Sequence, residues 1–457
     1  PHGYLPLLPV QVALSGAYRL VYYTPEKIFH ESSYTQRFKQ FEALVNAQKL
    51  AFFAVDEAHC VVEDTYREQY RHLDYLVSQL QVHDGPVAPM VALTATAPPE
   101  MARRIVRALK LRSPHLELRT PVHRSNLVLR RIEATGSMKD EVRHVVGQLR
   151  AGADGDPGPT IVYVRTCNDA EKWCELLQAR LPSLKEKIRA FYSGKAAKAG
   201  SMSATQKRRV QDDFNSGAVR IVVATTAFGM GVNKQDVRNV VIKGGCFSLL
   251  RFMQEGGRAG RDDADATVTL VGSTGAFLPF GGEALAGSDE AQRRARGLDE
   301  ITEWFYDGHR CLWRGVSRAL DAPADQMAYD CGRCDVCAAK KRGGAAYTDV
   351  GAGVDVLLKA LLAAEGREVA WSDIDKLLKA KGSTLNAEFT GLPQATWGRT
   401  TVQKEASLRA LLRFLGASHT EELVVHVRVP PPSRNSSHGW SDRFKAGPRA
   451  KAFLERP

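Results

Sequence analysis

The stretch that decides the fold is Ala51-Phe52-Phe53-Ala54-Val55-Asp56-Glu57-Ala58-His59-Cys60. Five apolar residues run directly into two adjacent carboxylates and then a histidine. A short all-apolar run is typical of a strand that is buried on both faces of a parallel sheet. Ligands of open α/β sheets bind just beyond the carboxyl ends of such strands. The pattern therefore predicts that Asp56 and Glu57 lie where the phosphates and metal ion of a nucleotide bind.

The two carboxylates suit two different tasks at such a site. Asp56 can hold Mg²⁺, which binds few protein carboxylates and keeps most of its waters. Glu57 can polarise the water that attacks a γ-phosphate, and His59 can form a hydrogen bond across the cleft. An alternative for these residues alone is a buried strand that ends in a solvated acidic turn.

The length and charge of the chain narrow the class of protein. With 457 residues, the chain is too long for one hydrophobic core and predicts three or four domains. Its 63 Lys and Arg against 51 Asp and Glu give a net charge of +12, which favours a polyanionic partner. A merely basic soluble enzyme is the alternative. Neither a transmembrane segment nor a signal peptide is predicted, and the start at Pro1 predicts a fragment.

Apolar strands and helices alternate along the chain, which predicts an α/β fold with doubly wound parallel sheets. The predicted strands are residues 18–23, 51–55, 89–93, 160–164, 220–226 and 239–242. The predicted helices are residues 34–47, 98–109, 168–180 and 205–215. Towards the end, helices at 353–365, 372–381 and 401–415 precede a strand at 422–428, which is the element order of a winged helix.

A second group of candidate site residues is Gly257-Arg258-Ala259-Gly260-Arg261-Asp262. Two guanidinium groups three residues apart lie on one face of a helix or tight turn. They suit a triphosphate that is losing its γ-phosphoryl group, which is the role of an arginine finger. Taken alone, the stretch fits an ordinary basic helix start slightly better.

Four cysteines predict a metal site: Cys311, Cys331, Cys334 and Cys337, in the spacing C-x₁₉-C-x₂-C-x₂-C. Four thiolates without an open coordination position form a closed, structural Zn²⁺ site. Because no secretory signal is seen, metal binding in a reducing compartment is favoured over disulfides. His309 is a competing ligand that the fourth cysteine makes unnecessary.

Taken together, these motifs resemble the RecQ family of superfamily 2 DNA helicases. The resemblance covers about residues 18–340. It rests on five stretches in family order and at close to family spacing: 24–27, 56–60, 93–97, 223–234 and 254–262. Cys60 after the Asp-Glu-Ala-His box and the stretch Ala227-Phe228-Gly229-Met230-Gly231-Val232-Asn233-Lys234 are specific to this family within the superfamily.

The resemblance implies two RecA-like lobes with ATP and Mg²⁺ between them, then a helical zinc-binding module and a winged helix. The implied domains are residues 1–122, 123–280, 281–344 and 345–457. Asp56 would take the Mg²⁺ and Glu57 the attacking water, with His59 beside them. Gln254, Arg258 and Arg261 would reach the nucleotide from the second lobe. Thr94 and Thr96 would couple the nucleotide site to DNA.

The implied activity is 3′→5′ unwinding of DNA, with single-stranded and forked or 3′-tailed DNA as the partner. The residues expected to contact DNA are Thr24, Pro25, Tyr66, Tyr70, Thr225, Arg399 and Lys404, the last two at a helix start of the winged helix. A eukaryotic protein of this kind would be nuclear, and a bacterial one cytoplasmic.

Three departures from the family pattern affect these expectations. No G-x-x-x-x-G-K-[ST] occurs in the 457 residues, so the chain by itself is expected not to hydrolyse ATP efficiently. The loop after the acidic strand is short and keeps only Tyr66 and Tyr70 in place of a tryptophan. Lys243-Gly244-Gly245-Cys246-Phe247 replaces the family's H-x-x-x-P.

Two rival functions predict different sequences. An RNA helicase of the DEAH or DEAD type predicts no zinc cluster and a different sequence in place of the arginine-containing stretch at residues 254–262. A DNA-binding adaptor without catalysis predicts drift at Asp56, Glu57, Arg258 and Arg261, and all four residues are intact.

Overall fold

The computed structural model describes a defined part of the chain. The described residues are 18–28, 34–62, 70, 72–73, 77, 89–133, 137–149, 156–196, 200–229, 232–244, 248–272, 297–298, 300–305, 307, 310–342, 358, 361–362, 369–370, 424–429, 441–446 and 451. The chain divides into two compact units, Pro1–Val122 with Ser317–Gln326, and His123–Val316 with Met327–Pro457. Within the described part, no helix is long and apolar enough to cross a membrane.

The first unit contains a two-stranded parallel sheet with helices before and after it. Its elements are α1 (Pro25–Ile28), α2 (Tyr34–Asn46), β1 (Phe53–Val55), β2 (Met90–Ala92) and α3 (Pro99–Ala108). Strands β1 and β2 pair in parallel with Phe53 opposite Met90. Helix α3 begins with Pro99 because the first helical position needs no N–H donor. Apolar side chains of α2, α3 and one face of the sheet form its core.

Two expectations about the first unit are wrong. Residues 18–23 are not a strand, and Leu20 and Tyr22 are exposed. The acidic strand is buried on one face only, since Ala54 and Phe52 are exposed while Val55 is buried. Val91 and Leu93 lie exposed on the neighbouring strand and just after it. The described part of this unit therefore covers one face of the sheet and leaves the other in solvent.

The second unit is built on a six-stranded, all-parallel sheet. Its strands are β3 (Leu127–Glu133), β4 (Thr160–Val164), β5 (Ile188–Phe191), β8 (Ile221–Ala224), β9 (Asn239–Lys243) and β10 (Ala266–Gly272). Their order across the sheet is β3-β10-β9-β4-β8-β5. The short strands β6 (Lys195–Ala196) and β7 (Gly200–Ser201) form a separate antiparallel pair. The predicted parallel α/β architecture is confirmed.

Helices α4 (Met138–Leu149), α5 (Cys167–Arg180), α6 (Ala204–Ser216) and α7 (Leu249–Gly256) follow these strands. One sheet face packs on α4 and α5, with Trp173 fully buried at its centre. Residues of the opposite face, such as Ile161, Val222 and Leu270, are equally buried. Both faces are covered, as the all-apolar sequence of β4 and β8 predicts. The chain passes from β4 to one side of the sheet and then to β9 on the other, so a switch point lies beside β4.

Helix α8 (Leu312–Leu320) and helix α9 (Asp335–Lys341) follow, with a 3₁₀ turn at Pro323–Asp325 between them. Further on, β11 (Val369–Ala370), β13 (Ser441–Ala446) and β12 (Val424–Val429) form an antiparallel sheet in that order. Val424 pairs with Ala446, so β12 and β13 form a hairpin. Apart from residues 358 and 361–362, which are helical, the predicted helices of the winged helix lie outside the described residues.

Candidate nucleotide, nucleic-acid and metal sites

The acidic turn after β1 has an unusual backbone. Glu57 lies in the left-handed region with φ 51° and ψ 44°, which L-residues with side chains rarely adopt. The Glu57 N–H donates to Asp56 Oδ1 at 2.9 Å. Both residues are exposed at the carboxyl end of the strand. Such backbone conformations persist at functional sites, and here the turn presents two carboxylates side by side to solvent.

His59 joins this turn to the segment after β2. Its Nδ1 lies 2.9 Å from Thr94 Oγ1 and 3.3 Å from Glu57 Oε2, and its ring is 9% exposed. The Thr94 hydroxyl donates to the Thr96 carbonyl at 3.3 Å. A proton on Nδ1 would give the chain one consistent direction, from His59 through Thr94 to Thr96. The structure thus brings together four residues that the sequence assigned to nucleotide chemistry and coupling.

The backbone reinforces the same junction. The Leu93 N–H donates to the Val55 carbonyl at 2.9 Å, and the Ala58 N–H donates to the Leu93 carbonyl at 2.8 Å. The acidic turn and the threonine segment are therefore linked by main chain and side chains together. A displacement of the acidic turn therefore also displaces the threonine segment.

The residues of the first unit that were expected to contact DNA have mixed positions. Thr24 is exposed at the start of α1, where its hydroxyl accepts from the Lys27 N–H at 3.4 Å, whereas Pro25 is buried. Tyr70 is 7% exposed and packs in the apolar core, and its role in DNA binding stays a prediction. Tyr66 lies outside the described residues.

In the second unit, Arg258 holds the loop that follows β8. Its Nη1 donates to the Gly229 carbonyl at 2.7 Å. A Cβ at position 229 would lie 2.3 Å from Arg258 Nη2, so glycine is needed for this approach. Tyr163 at the end of β4 donates its hydroxyl to the Phe228 carbonyl at 2.7 Å. Sequence analysis did not single out Tyr163, which is only a tyrosine in an otherwise apolar strand.

Arg261 differs from Arg258 in its surroundings. It is exposed, and in the described part of the chain its guanidinium has no hydrogen bond or ion pair. Partial burial and then the nearby Arg258 lower its pKa, yet a guanidinium stays charged at any physiological pH. Gln254, at the end of α7, is half-buried. Arg261 is thus a cation available to an anionic ligand.

A cleft of about 410 Å³ opens at the carboxyl ends of β4, β5 and β8. Thr225, which was expected to contact DNA, lines it, and its N–H donates to the Phe191 carbonyl. Hydroxyl, amide and guanidinium groups of five further residues line it: Arg165, Thr166, Asn168, Ser193 and Thr226. The cleft also meets the start of α5, a helix end that favours anions. Sequence analysis missed these residues because each is common and none forms a motif.

The four predicted cysteines converge, and their Sγ atoms all lie within 4.8 Å of one another. Sγ of Cys331 lies 3.9 Å from Sγ of Cys337, and Sγ of Cys334 lies 4.0 Å from Sγ of Cys311. Zn–S bonds of about 2.3 Å in a tetrahedron place sulfurs about 3.8 Å apart. Four thiolates this close together repel one another, so a bound cation is needed to keep all four deprotonated. The donor set therefore fits a tetrahedral metal ion.

Arg399 and Lys404 lie outside the described residues. The expected roles of both in DNA binding stay predictions.

Comparison with known proteins gives a consistent result. Residues 9–105 match the DEAD/DEAH box helicase family, and residues 141–263 match the helicase conserved C-terminal domain. The chain is 31% identical over 328 residues to the ATP-dependent DNA helicase RecQ of Pasteurella multocida, covering 71% of this chain and 46% of that protein.

The chain belongs to the RecQ family of helicases. A second RecQ-family relative is the mouse bifunctional 3′-5′ exonuclease/ATP-dependent helicase WRN, 31% identical over 258 residues, which are 56% of this chain and 17% of WRN. This RecQ-family chain thus spans less than half the length of these two relatives. Among solved structures, Mycobacterium smegmatis helicase Lhr bound to ssDNA and AMP-PNP aligns with 91% of this chain and 44% of its own, at 18% identity and a TM-score of 0.39. The two RecA-like helicase domains follow from the family matches.

Proposed function

We propose that the chain is the core of an ATP-dependent DNA helicase that translocates 3′→5′. The observation that carries this proposal is the hydrogen bond between His59 and Thr94. It joins the acidic turn, which suits Mg²⁺ and water, to a segment that lies beyond the next strand. A helicase needs such a link because each hydrolysis event must move the residues that hold DNA.

The assignments within ATP hydrolysis follow from side-chain chemistry. Asp56 would hold Mg²⁺ through its solvent-facing carboxylate, and Glu57 would orient the attacking water. Arg261 would meet the charge that develops on the γ-phosphate, with Arg258 and Gln254 beside it. When bound, Mg²⁺ supplies the charge that neutralises the phosphate oxygens.

The DNA assignment has support in the cleft lined by Thr225. Hydroxyl and amide groups with one guanidinium suit the phosphates of a single strand, which they can contact without reading its sequence. Thr24, which is exposed in the first unit, is a further hydroxyl for this role. The net charge of +12 agrees with a polyanionic partner.

We assign Cys311, Cys331, Cys334 and Cys337 to a structural Zn²⁺ within a module of residues 281–344. The support is the four-sulfur geometry and the N–H donors around it, such as the Cys331 N–H to Cys311 Sγ at 3.2 Å. A winged helix in residues 345–457 has the β12–β13 hairpin as support. We further propose a nuclear location if the protein is eukaryotic.

A salt titration tests the DNA assignment on this chain. Affinity for single-stranded or forked DNA should fall steeply between low and moderate salt, because phosphate contacts release counterions. Thr225→Val should weaken DNA binding several-fold. Thr267→Val is the control and should leave it unchanged, because Thr267 lies on β10, next to the edge strand β3 and away from the cleft. Flat salt dependence, or clear preference for RNA, would favour an RNA helicase.

The assignment of ATP hydrolysis is tested in two steps. This chain is expected to show little DNA-stimulated ATPase, because its sequence has no G-x-x-x-x-G-K-[ST]. A polypeptide in which such a loop precedes Thr24 should hydrolyse ATP. There, Glu57→Gln should keep nucleotide binding and lose turnover, and Arg261→Ala should reduce the rate on the order of 10³-fold. Normal turnover after Arg261→Ala would contradict the finger assignment.

A further inference from the structure

The arginine loop, residues 257–264, depends on side chains from a distant segment. Helix α7 ends at Gly256, and carbonyl groups beyond a helix end have no partner within the helix. Four carbonyls of the loop, those of Gly257, Ala259, Gly260 and Ala264, instead accept hydrogen bonds from Arg124 or Asn126. These two residues belong to the anchoring segment, residues 124–126, which immediately precedes β3.

The two side chains divide the carbonyls between them. Arg124 Nη1 donates to Gly257 O at 3.3 Å and to Ala259 O at 3.1 Å, and its Nη2 donates to Gly260 O. Asn126 Nδ2 donates to Gly260 O and to Ala264 O, both at 2.9 Å. A planar guanidinium presents donors in a fixed fork, so Arg124 restricts the direction as well as the position of the loop.

The anchoring segment is itself held from several sides. The Ala266 N–H donates to the Asn126 carbonyl at 3.0 Å, where β10 joins β3. Arg333, between two cysteines of the metal site, donates from Nη1 to the Ser125 carbonyl at 2.8 Å and from Nη2 to Asp265 Oδ2 at 2.5 Å. The indole N–H of Trp313 donates to the Leu127 carbonyl at 3.0 Å. The segment is therefore a rigid support.

The opposite side of the arginine loop is fixed by backbone. The Gly260 N–H donates to the Val237 carbonyl at 2.8 Å, and the Arg261 N–H donates to the Gln235 carbonyl at 3.0 Å. Gly260 has φ +54°, and a Cβ there would lie 2.6 Å from Asn126 Nδ2. With amides held on one side and carbonyls on the other, the loop has one orientation. In it, Arg258 points to Gly229 and Arg261 points to solvent.

We propose that Arg124 and Asn126 are positioning residues that set the direction of Arg258 and Arg261. The inference rests on the proposed function only for what the two arginines bind; the support of the loop is a property of the second unit alone.

The test is local hydrogen exchange in this chain, followed by mass spectrometry of peptides that cover residues 255–265. Arg124→Ala and Asn126→Asp should each speed exchange of the Gly260 and Arg261 amides about tenfold or more, which corresponds to about 1.4 kcal/mol. Because Asn126→Asp also brings a negative charge towards two carbonyl oxygens, Asn126→Leu is tested beside it; leucine keeps the volume without a donor or a charge, so a space-filling role would leave exchange unchanged in Asn126→Leu. Arg124→Lys keeps the charge without the fork and should restore only part of the protection.

A second readout follows the arginines themselves. Phenylglyoxal modifies accessible guanidinium groups, and peptide mapping gives the rate at each site. In the unmodified sequence, Arg261 should react quickly and Arg258 slowly. In Arg124→Ala and Asn126→Asp, the Arg258 rate should rise about tenfold towards that of Arg261. Arg130→Ala is the matched control, because Arg130 is an exposed arginine on β3.

Two outcomes would overturn the proposal. One is unchanged exchange of the arginine loop in both variants. The other is faster exchange spread evenly over β4 and β8, which would indicate general loss of stability. Since neither readout needs ATP, failure of the proposed hydrolysis would leave the result standing. Conversely, hydrolysis that is sensitive to Arg261→Ala but indifferent to Arg124→Ala would overturn the positioning role alone.

Discussion

The two units use similar apolar strands with different results. In the second unit, β4 and β8 are buried on both faces, and residues such as Ile161 and Val223 have no exposed surface. In the first unit, the strand sequence is equally apolar, yet Phe52 is 53% exposed and Leu93 is 49% exposed. An all-apolar run thus reports that a strand can be buried on two sides. Which sides are buried depends on the helices that the rest of the unit supplies.

The difference in strand burial between the two units separates two properties of a sheet: how it positions a site and how stable it is. The position of the acidic turn depends on β1, β2 and the links between their ends, and the described residues contain these links. The stability of a parallel sheet needs layers on both faces. The first unit therefore has an ordered candidate site on a sheet that is half covered.

The largest test of this comparison is a pair of leucine truncations. Leu270→Ala, in the buried strand β10, should cost about 3 kcal/mol of unfolding free energy through lost burial and a cavity. Leu93→Ala, half exposed in the first unit, should change it by less than about 0.5 kcal/mol. Urea unfolding followed by tryptophan fluorescence reports the second unit, because no tryptophan precedes Trp173. Hydrogen exchange of β1 and β2 reports the first. Equal losses would break the comparison.

In the second unit, whose sheet is covered on both faces, burial of a carboxylate lowers the free energy of unfolding. Burial raises the pKa of Glu255 to about 7, against the opposing pull of Arg251 and Arg258. The folded state then binds more protons than the unfolded state between about pH 4.5 and 7, so stability falls as pH rises through that window. Glu255→Gln should remove this dependence. It should raise the unfolding free energy by about 1–2 kcal/mol at pH 8, after allowance for partial exposure, and leave it unchanged near pH 4.

A smaller effect should follow from cutting the link in the first unit. Thr94→Val keeps the side-chain shape and removes the hydroxyl between His59 and the Thr96 carbonyl. We expect a local cost of about 1 kcal/mol, the usual net value of one hydrogen bond. Exchange of the Ala58 amide, which donates to the Leu93 carbonyl, should quicken accordingly. If exchange rose equally in β4, the link would not be local.

The smallest change in stability is expected from a substitution on the solvent-exposed face of the β1–β2 sheet. Phe52→Ser should alter the unfolding free energy by less than about 0.5 kcal/mol, since the ring is half exposed. It should nevertheless reduce binding of a hydrophobic dye such as ANS, because an exposed apolar patch is the surface that such dyes bind. Unchanged dye binding together with a large loss of stability would show that the face is covered in solution.

Sequence patterns predicted the central strands of the second unit, β4, β8 and β9, because they are uninterrupted apolar runs. The prediction of 160–164 coincides with β4, and helix 205–215 is within one residue of α6 at each end. The two edge strands, β3 and β5, and β10 beside β3 were missed. Charged Arg130 and Arg131 interrupt β3, and Thr267 and Thr269 alternate with valine and leucine in β10. Such half-polar strands resemble loops until their partners are known.

For the candidate sites, motifs singled out residues but not their environment. The acidic turn, the arginine loop and the cysteine cluster each have a characteristic spacing, and the roles of their residues stay predictions. The environment of Tyr70 was not predicted, because a tyrosine that stacks on a base and one that fills a core look the same in a sequence, and its ring is buried here. Arg124 and Asn126 were missed because their partners are backbone carbonyls, which leave no trace in a sequence.

The pairing of β3 with β10 also sets the order in which the molecule can be made. Leu127, close to the start of the second unit, pairs with Ala266 far along the chain, so the sheet edge cannot close until that later segment has left the ribosome. The first unit is completed later still, since the Val122 N–H donates to the Asp321 carboxylate, which is synthesised after the strands of the second unit's main sheet. Contacts so distant along the chain fold slowly, and unpaired edges stay exposed meanwhile. Synthesis of this chain should therefore depend on chaperones more than its helical content would suggest.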